Sequence, residues 1–189
     1  MVLIIVSSGV KIGISSSHNT NNDYAFDFAA SGTLSSGSEL ELTGTATETK
    51  FGMTSASATY LANAKVSLKG TAFLFLDVNQ GSASTINVGT LSGESGTKLG
   101  WGKSSALDRH ITWSVGASNE DSEFAGTLTN TGGYKGSGSM YIGQYTHLTK
   151  VGTGKLTLSG TSDAYNGDLT INGGEVLVSG TLSGNNQTT

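Results

Sequence analysis

The sequence contains no cysteine and no proline, and only 13% of its 189 residues are charged. The missing cysteines exclude disulfide bonds and thiolate chemistry. The ten lysines and arginines are scattered along the chain, and the net charge is −4. Since proteins that bind nucleic acids or anionic membrane surfaces do so through clustered positive charges, we expect neither as a partner of this chain.

Long apolar runs are missing as well. No stretch approaches the roughly 20 apolar residues of a transmembrane helix. The N-terminal run Val2–Val6 is too short for the apolar region of a signal peptide, which spans about 7–15 residues after a positively charged start. We interpret it as a strand, and we expect any export signal to lie outside this sequence.

Glycine is abundant, with 28 residues, and apolar residues alternate with polar ones between its occurrences. Near the C-terminus the pairs Leu156/Leu158, Leu169/Ile171 and Val176/Val178 each enclose one polar residue and precede a glycine-containing corner. Period-2 alternation interrupted at short intervals indicates stacked short strands. The Gly/Ser/Thr-rich composition leaves disordered chain as an alternative, and no window carries a sustained helical pattern.

The same alternation predicts strands along most of the chain. Thr45–Asn63 shows weak alternation and stays unassigned, whereas Ser15–Asp23 and Thr131–Ser139 are predicted to be polar loops. One predicted strand, Phe73–Val78, is apolar on both faces, which indicates burial on both sides. The predicted strands are Val2–Val6, Val10–Ile14, Tyr24–Phe28, Leu40–Leu42, Val66–Leu68, Phe73–Val78, Ile86–Val88, Ile111–Val115, Phe124–Leu128 and Met140–Ile142.

A short motif repeats along the chain. Leu or Val, then any residue, then Gly-Thr, occurs at Leu42, Leu68, Leu158 and Val178. The motif glycines Gly44 and Gly70 lie 26 positions apart, and those at 160 and 180 lie 20 apart. A period of about 20–26 residues with several short strands fits one coil of a parallel β-helix, so the chain predicts a single all-β solenoid over residues 1–189 with roughly eight coils. An antiparallel β-sandwich is the alternative, chiefly for residues 2–78.

The segment from Leu148 to Gly184 resembles the autotransporter-associated β-strand repeat. A similar but weaker likeness extends upstream through Ile111–Gly116 and Phe124–Leu128, so that residues 88–184 lie closest to the family and residues 1–87 are expected to form less regular coils or a cap. The matching residues are Leu148, Thr149, Lys150, Gly152, Gly154, Leu156, Leu158, Ser159, Gly160, Tyr165, Gly167, Ile171, Gly173, Gly174, Val176 and Val178.

This resemblance implies a right-handed parallel β-helix in a bacterial surface or secreted protein, where it forms an autotransporter passenger or its stalk. In that family a C-terminal β-barrel anchors the passenger in the outer membrane. The present sequence shows no run of ten-residue amphipathic strands with aromatic girdles, so we expect no direct membrane insertion by this segment.

Residues that could carry chemistry are few. Asp108, Arg109 and His110 form the densest polar cluster, and the other histidines are His18 and His147. Neighbouring residues on a strand face opposite ways, so we interpret the cluster as a solvated turn rather than a hydrolase site. The acidic residues Glu120, Asp121 and Glu123 lack the spacing of a calcium loop and are also predicted to form a solvated turn.

Two further patterns have structural interpretations that we prefer. Trp101, Tyr134, Tyr141 and Tyr145 could stack on sugar rings, but we prefer core packing or isolated exposure as their interpretation. The Gly-Thr-Gly-Lys of Val151–Lys155 lacks the first glycine and the following helix of a phosphate-binding loop.

The sequence therefore predicts no catalytic residues, no metal site and no cofactor, and it does not identify binding residues. We expect a non-catalytic structural or interaction segment whose partners are glycans, host or cell-surface proteins, and neighbouring coils of a longer chain. A carbohydrate- or host-binding adhesin face is the first alternative, and a fragment of a β-helical polysaccharide-active enzyme is the second.

Overall fold

The computed structural model describes residues 9–17, 26–28, 34–53, 59–76, 84–101, 109–130, 134–135, 141–142 and 144–184. These residues form strands and turns, and they include no helix long and apolar enough to span a membrane. The strands are β1 (Lys11–Ser16), β2 (Phe26–Phe28), β3 (Glu39–Met53), β4 (Lys65–Leu76), β5 (Ser84–Val88), β6 (Thr90–Gly93), β7 (Lys98–Trp101), β8 (Arg109–Val115), β9 (Ser122–Phe124), β10 (Thr127–Asn130), β11 (Tyr134–Lys135), β12 (Tyr141–Ile142), β13 (Gln144–Lys150), β14 (Lys155–Leu158), β15 (Thr161–Ser162), β16 (Leu169–Ile171), β17 (Glu175–Val178) and β18 (Thr181–Leu182).

The strands wind around three faces. The first face stacks β1, β3, β4, β6, β9, β14 and β17 in parallel, each strand pairing with the next. The second face carries β2, the second halves of β3 and β4, β7 and β10, followed by the pair β15–β18. The third face stacks β5, β8, β13 and β16. Parallel pairing of successive coils is the arrangement of a β-helix, so the predicted all-β solenoid is confirmed and the sandwich alternative is wrong.

Coil length varies more than the sequence period predicted. In the first face, Leu42 pairs with Leu68, 26 residues later. The next offsets in that face include 34 residues between Phe124 and Leu158, and 20 between Leu158 and Val178. The longest coil contains β11 and β12, which pair antiparallel with each other, whereas the other strand pairs in the described ranges are parallel. The predicted 20–26-residue period is therefore exceeded here, and the count of about eight coils stays a prediction.

Inward-facing apolar residues from all three faces fill the interior. In the second face Phe51, Leu74 and Leu99 stack in register, and all three are fully buried. In the third face Trp113 stacks between Ile86 and Leu148. Such ladders bury apolar area coil after coil, at about 25 cal/mol per Å², although each strand is too short to fold alone.

Two sequence assignments need correction. Weak alternation predicts no strand over Thr45–Asn63, yet β3 runs into this range and ends at Met53, and Phe51 and Met53 are buried. The ladder with β4 shifts register between Gly44 and Thr49, so the strand turns a corner there instead of ending. The predicted loop Thr131–Ser139 contains β11.

The double-sided burial predicted for Phe73–Val78 is confirmed over β4, where Phe73, Leu74, Phe75 and Leu76 are all buried. Of the remaining predicted segments, Val2–Val6 and most of Ser15–Asp23 lie outside the described residues.

Candidate functional site

The segment with the strongest sequence pattern contains a buried lysine. On β13, alternation places Thr146, Leu148 and Lys150 on the inward side, and all three are buried. Lys150 is only 1% exposed. Its Nζ donates hydrogen bonds to the carbonyl oxygens of Val151 at 2.6 Å, Gly152 at 3.2 Å and Gly173 at 3.5 Å.

These contacts make Lys150 a cap for carbonyl groups at a corner of the solenoid. Val151 and Gly152 form the corner of its own coil, while Gly173 belongs to the next coil, so the ammonium group joins the two. Burial lowers the pKa of Lys150, and the charge of Asp121 acts in the opposite direction. Carbonyl oxygens accept hydrogen bonds but exchange no protons, so these contacts stabilise the corner and offer no acid–base chemistry.

Close backbone contacts between coils explain the glycines of this segment. Gly152 has a φ of +70°, and a Cβ atom there would lie 2.0 Å from the carbonyl oxygen of Gly116 in the preceding coil. A Cβ on Gly160 would lie 2.0 Å from the carbonyl oxygen of Gly126. No side chain fits at such distances, so these positions require glycine.

The segment from β13 to β17 therefore combines three features: a buried lysine that caps carbonyl groups, glycines at the corners, and apolar ladders in register. Residues 148–178 match the family model of the passenger-associated-transport-repeat. The resemblance to an autotransporter passenger repeat is confirmed over this segment. No curated protein matches the chain, and no solved structure matches it either.

The segment that matches the repeat also contains a buried tyrosine that closes a turn. The hydroxyl group of Tyr165 donates a hydrogen bond of 2.7 Å to the carbonyl oxygen of Asp168, directly before β16. Tyr165 is 6% exposed, and burial raises its pKa far above the usual value. The phenol therefore stays protonated and acts as a hydrogen-bond donor within the repeat.

Histidines of two coils meet on the third face, where the repeat packs on its predecessor. The rings of His110 and Tyr145 stack at a centroid distance of 4.7 Å, and those of His110 and His147 at 5.1 Å. His110 Nδ1 lies 2.8 Å from His147 Nε2. All three rings are partly exposed, so they form an aromatic surface that we call the imidazole stack (His110, Tyr145, His147).

His147 joins the imidazole stack to the next coil through its Nδ1 atom. The backbone nitrogen of Asp168 lies 3.0 Å from this atom and a carboxylate oxygen of Asp168 lies 3.2 Å from it, so both are within hydrogen-bond distance. Burial lowers the pKa of His147, the Asp168 carboxylate opposes this, and a charged His110 would lower that pKa further.

The hydrolase cluster considered for Asp108, Arg109 and His110 lies mostly outside the described residues. Asp108, His18 and the side chain of Arg109 lie outside the described residues. His110 instead faces His147 of the next coil, 37 residues away. The sequence period of 20–26 residues gave no reason to pair these two histidines.

The acidic turn connects coils, which the sequence did not indicate. Asp121 Oδ1 accepts the backbone N–H of Lys155 at 2.7 Å, and Glu123 Oε1 accepts the Ser159 hydroxyl at 2.6 Å. Glu120 Oε2 accepts the hydroxyl of Thr90 in the preceding coil at 3.3 Å. The turn is thus engaged in structure rather than simply solvated, and the described residues include no group of three or more potential metal ligands.

Asn119 of the preceding coil is hydrogen-bonded to Val151–Lys155, the segment that was compared with a phosphate-binding loop. Asn119, at a φ of 63°, accepts the backbone N–H of Thr153 through Oδ1 at 2.9 Å. The hydroxyl group of Thr153 donates to the same oxygen at 3.3 Å. The turn between β13 and β14 is therefore held against the preceding coil.

The four aromatic residues considered for sugar stacking are distributed over four strands of the chain. Trp101 ends β7, whereas Tyr134 and Tyr141 lie on the antiparallel pair β11–β12; the side chains of these three lie outside the described residues. Tyr145 is the member whose ring is described, within the imidazole stack. The sequence indicated Tyr145 as a candidate for sugar stacking, but it did not indicate that His110 and His147 lie next to it.

Proposed function

We propose that this chain is a non-catalytic structural section of an exported bacterial surface protein, part of an autotransporter-like passenger stalk. The match of residues 148–178 to the passenger-associated-transport-repeat carries this proposal. In a longer chain, neighbouring coils would continue the same parallel ladders.

The use of polar side chains supports a structural role. Asn130 donates to the carbonyl oxygen of Ala164 at 2.9 Å and accepts the backbone N–H of Thr146 at 2.7 Å. Ser162 Oγ accepts the backbone N–H of Leu128 at 2.9 Å. Like Lys150 and Asp121, these residues join one part of the solenoid to another, and a stiff repeat stack is suited to holding other segments away from a surface.

Surface display tests this proposal. The chain, fused to a secretion signal, an N-terminal epitope tag and an outer-membrane translocator, is expected to expose the tag on intact cells. Leu156→Lys puts a charge into the core and is expected to abolish display, whereas Thr157→Lys, on the outward side of the same strand, is expected to leave it unchanged. Flow cytometry with a tag antibody measures both, and equal display of the two variants would refute a role for the folded repeat.

A glycan- or host-binding face is the second candidate function. The partly exposed imidazole stack favours it, because aromatic faces and imidazole nitrogens together suit stacking and hydrogen bonding to sugars. Reproducible binding on a glycan array that disappears in Tyr145→Ala but persists in Thr149→Ala would support this function. Depolymerisation of an acidic polysaccharide by the purified chain would instead favour the enzyme alternative and contradict the non-catalytic proposal.

A further inference from the structure

Two histidines of successive coils bring ring nitrogens together on the third face. His110 lies on β8 and pairs with Tyr145, whereas His147 lies two residues further along β13 and pairs with Thr112. The two histidines are therefore diagonal neighbours, and long side chains reach across that spacing. His110 Nδ1 and His147 Nε2 lie 2.8 Å apart. Since neutral imidazole nitrogens are the commonest metal ligands in proteins, this pair is a candidate chelate.

The separation of the two nitrogens is close to that of two imidazole ligands on one metal ion. Zinc lies about 2.0–2.1 Å from each histidine nitrogen, so two ligating nitrogens at angles of about 90–110° are roughly 2.9–3.4 Å apart. A small rotation of either ring converts the observed 2.8 Å into this range. Both rings are partly exposed, so a metal ion reaches them from the solvent.

Asp168 supplies the outer partner that metal-ligating histidines usually have. Its carboxylate oxygen lies 3.2 Å from His147 Nδ1, on the opposite side of the ring from Nε2. A metal ion on Nε2 selects the tautomer with its proton on Nδ1, and that N–H donates to the carboxylate, which orients the ring and raises its basicity. The other ligand is also oriented, because the ring of Tyr145 stacks on that of His110 at 4.7 Å.

We propose that His110 Nδ1 and His147 Nε2 bind one divalent transition-metal ion between two coils of the solenoid. The described residues hold no group of three or more potential ligands, so water or another external donor completes the coordination. Imidazole ligands suit Zn²⁺, Ni²⁺ and Cu²⁺, with Cu²⁺ bound most tightly, whereas Mg²⁺ and Ca²⁺ prefer oxygen ligands.

The bound ion joins β8 and β13 in addition to their backbone ladder. The two ligands are 37 residues apart in the chain, so the ion closes a whole coil. In the unfolded chain this separation keeps the two imidazoles from meeting, and the ion therefore binds the folded state preferentially. Such a ligand stabilises the fold increasingly as its concentration rises above the dissociation constant.

Calorimetric titration of the purified, EDTA-treated chain with Zn²⁺ tests the site. One equivalent is expected to bind, and Mg²⁺ at the same concentration is expected to give no binding signal. His147→Gln removes one ligand and is expected to abolish this equivalent. His18→Gln removes the histidine outside the imidazole stack and is expected to leave the binding of Zn²⁺ unchanged.

A second pair of variants tests the outer carboxylate. Asp168→Asn keeps both ligands and is expected to weaken Zn²⁺ binding by about 10–100-fold. Asp163→Asn removes the same charge at another exposed position and is expected to leave the affinity within about twofold of wild type. Circular dichroism spectra identical to that of wild type show that each variant is folded.

Nitrogen-15 NMR of the wild-type histidine side chains identifies the ligating atoms without any variant. Zn²⁺ is expected to shift His110 Nδ1 and His147 Nε2 and to leave both ring nitrogens of His18 in place. A wild-type chain that binds no Zn²⁺ would overturn the proposal and leave a hydrogen bond between imidazoles. Shifts confined to other ring nitrogens, or a folded His147→Gln that binds like wild type, would overturn it as well.

Discussion

Lys150 is a charged residue whose burial depends on partners from two coils. Period-2 alternation along β13 puts it on the inward side with Thr146 and Leu148, a position that a charged residue rarely occupies. The alternation was visible in the sequence, but the carbonyl partners were not, because Gly173 arrives from the next coil. The corner geometry, with its three carbonyl acceptors, explains why a lysine can be buried at this position.

Replacing this lysine should weaken the fold. Lys150→Met removes the ammonium group and leaves the carbonyl oxygens of Val151, Gly152 and Gly173 without that donor. Because hydrogen bonds to charged groups contribute about 1.5–3 kcal/mol, we expect the free energy of unfolding to fall by roughly that amount. Urea denaturation followed by circular dichroism measures it.

Lys155 provides the matched control, since its side chain is partly exposed on the next strand. Lys155→Met is expected to change the free energy of unfolding by less than about 1 kcal/mol, as is usual for exposed charges. Equal losses in the two variants would contradict the capping role.

At the scale of elements, β8 and β13 meet through the imidazole stack. β8 was predicted from its own alternation, and Ile111, Trp113 and Val115 are buried, whereas β13 was not predicted as a strand. The 35-residue offset between Trp113 and Leu148 was not predictable from a shorter period. Contacts between residues of successive coils can therefore be predicted only when the register of the ladder is known.

This contact makes stability depend on pH. Burial holds the pKa of His147 below its ordinary value, so the unfolded chain binds more protons than the folded one as the pH falls through the histidine range. Stability is then fully present above about pH 7 and decreases below it, with a slope of at most about 1.4 kcal/mol per pH unit for one proton. The facing groups among the described residues are His110, Tyr145 and Asp168.

Urea denaturation at a series of pH values between about 8 and 5 measures this slope, because carboxylates titrate mostly below that window. His147→Gln removes the titrating group and is expected to flatten the profile. An unchanged slope in this variant would show that other groups cause the pH dependence.

On the scale of the whole molecule, each coil contacts only its neighbours. The long strands β3 and β4 have paired strands on both sides, whereas β17 and β18 are each paired on one side only in the described structure. Stability in such stacks is a sum of local and nearest-neighbour contributions, so opening starts at the least covered coils.

Native-state hydrogen exchange is expected to show this gradient. Amides of β4 should exchange slowest, and those of β18 fastest, because β18 has a partner on one side only in the described structure. Mass spectrometry of peptides from the two strands gives both rates. Uniform protection along the chain would indicate a single cooperative unit instead.

The sequence sufficed for the all-β parallel architecture, since alternation and the stacked motif glycines Gly44 and Gly70 depend on local pattern alone. It did not suffice for the contacts between coils. Asn119, Asp121 and Asn130 each make a hydrogen bond to a residue 34 positions away, and Asn130 makes a second one to a residue 16 positions away. Each of these bonds depends on how many residues the intervening part of the coil contains.

The unequal coils also determine how the molecule would yield to a pulling force applied at its two ends. Strands would peel away one coil at a time, and each detached coil would add its contour length to the extension. At about 3.4 Å per residue, the 20-residue coil between Leu158 and Val178 releases roughly 70 Å, and the 34-residue coil between Phe124 and Leu158 roughly 115 Å. The 34-residue coil, which contains β11 and β12, thus releases more chain than the 20-residue coil. The stack would therefore lengthen in unequal steps under force.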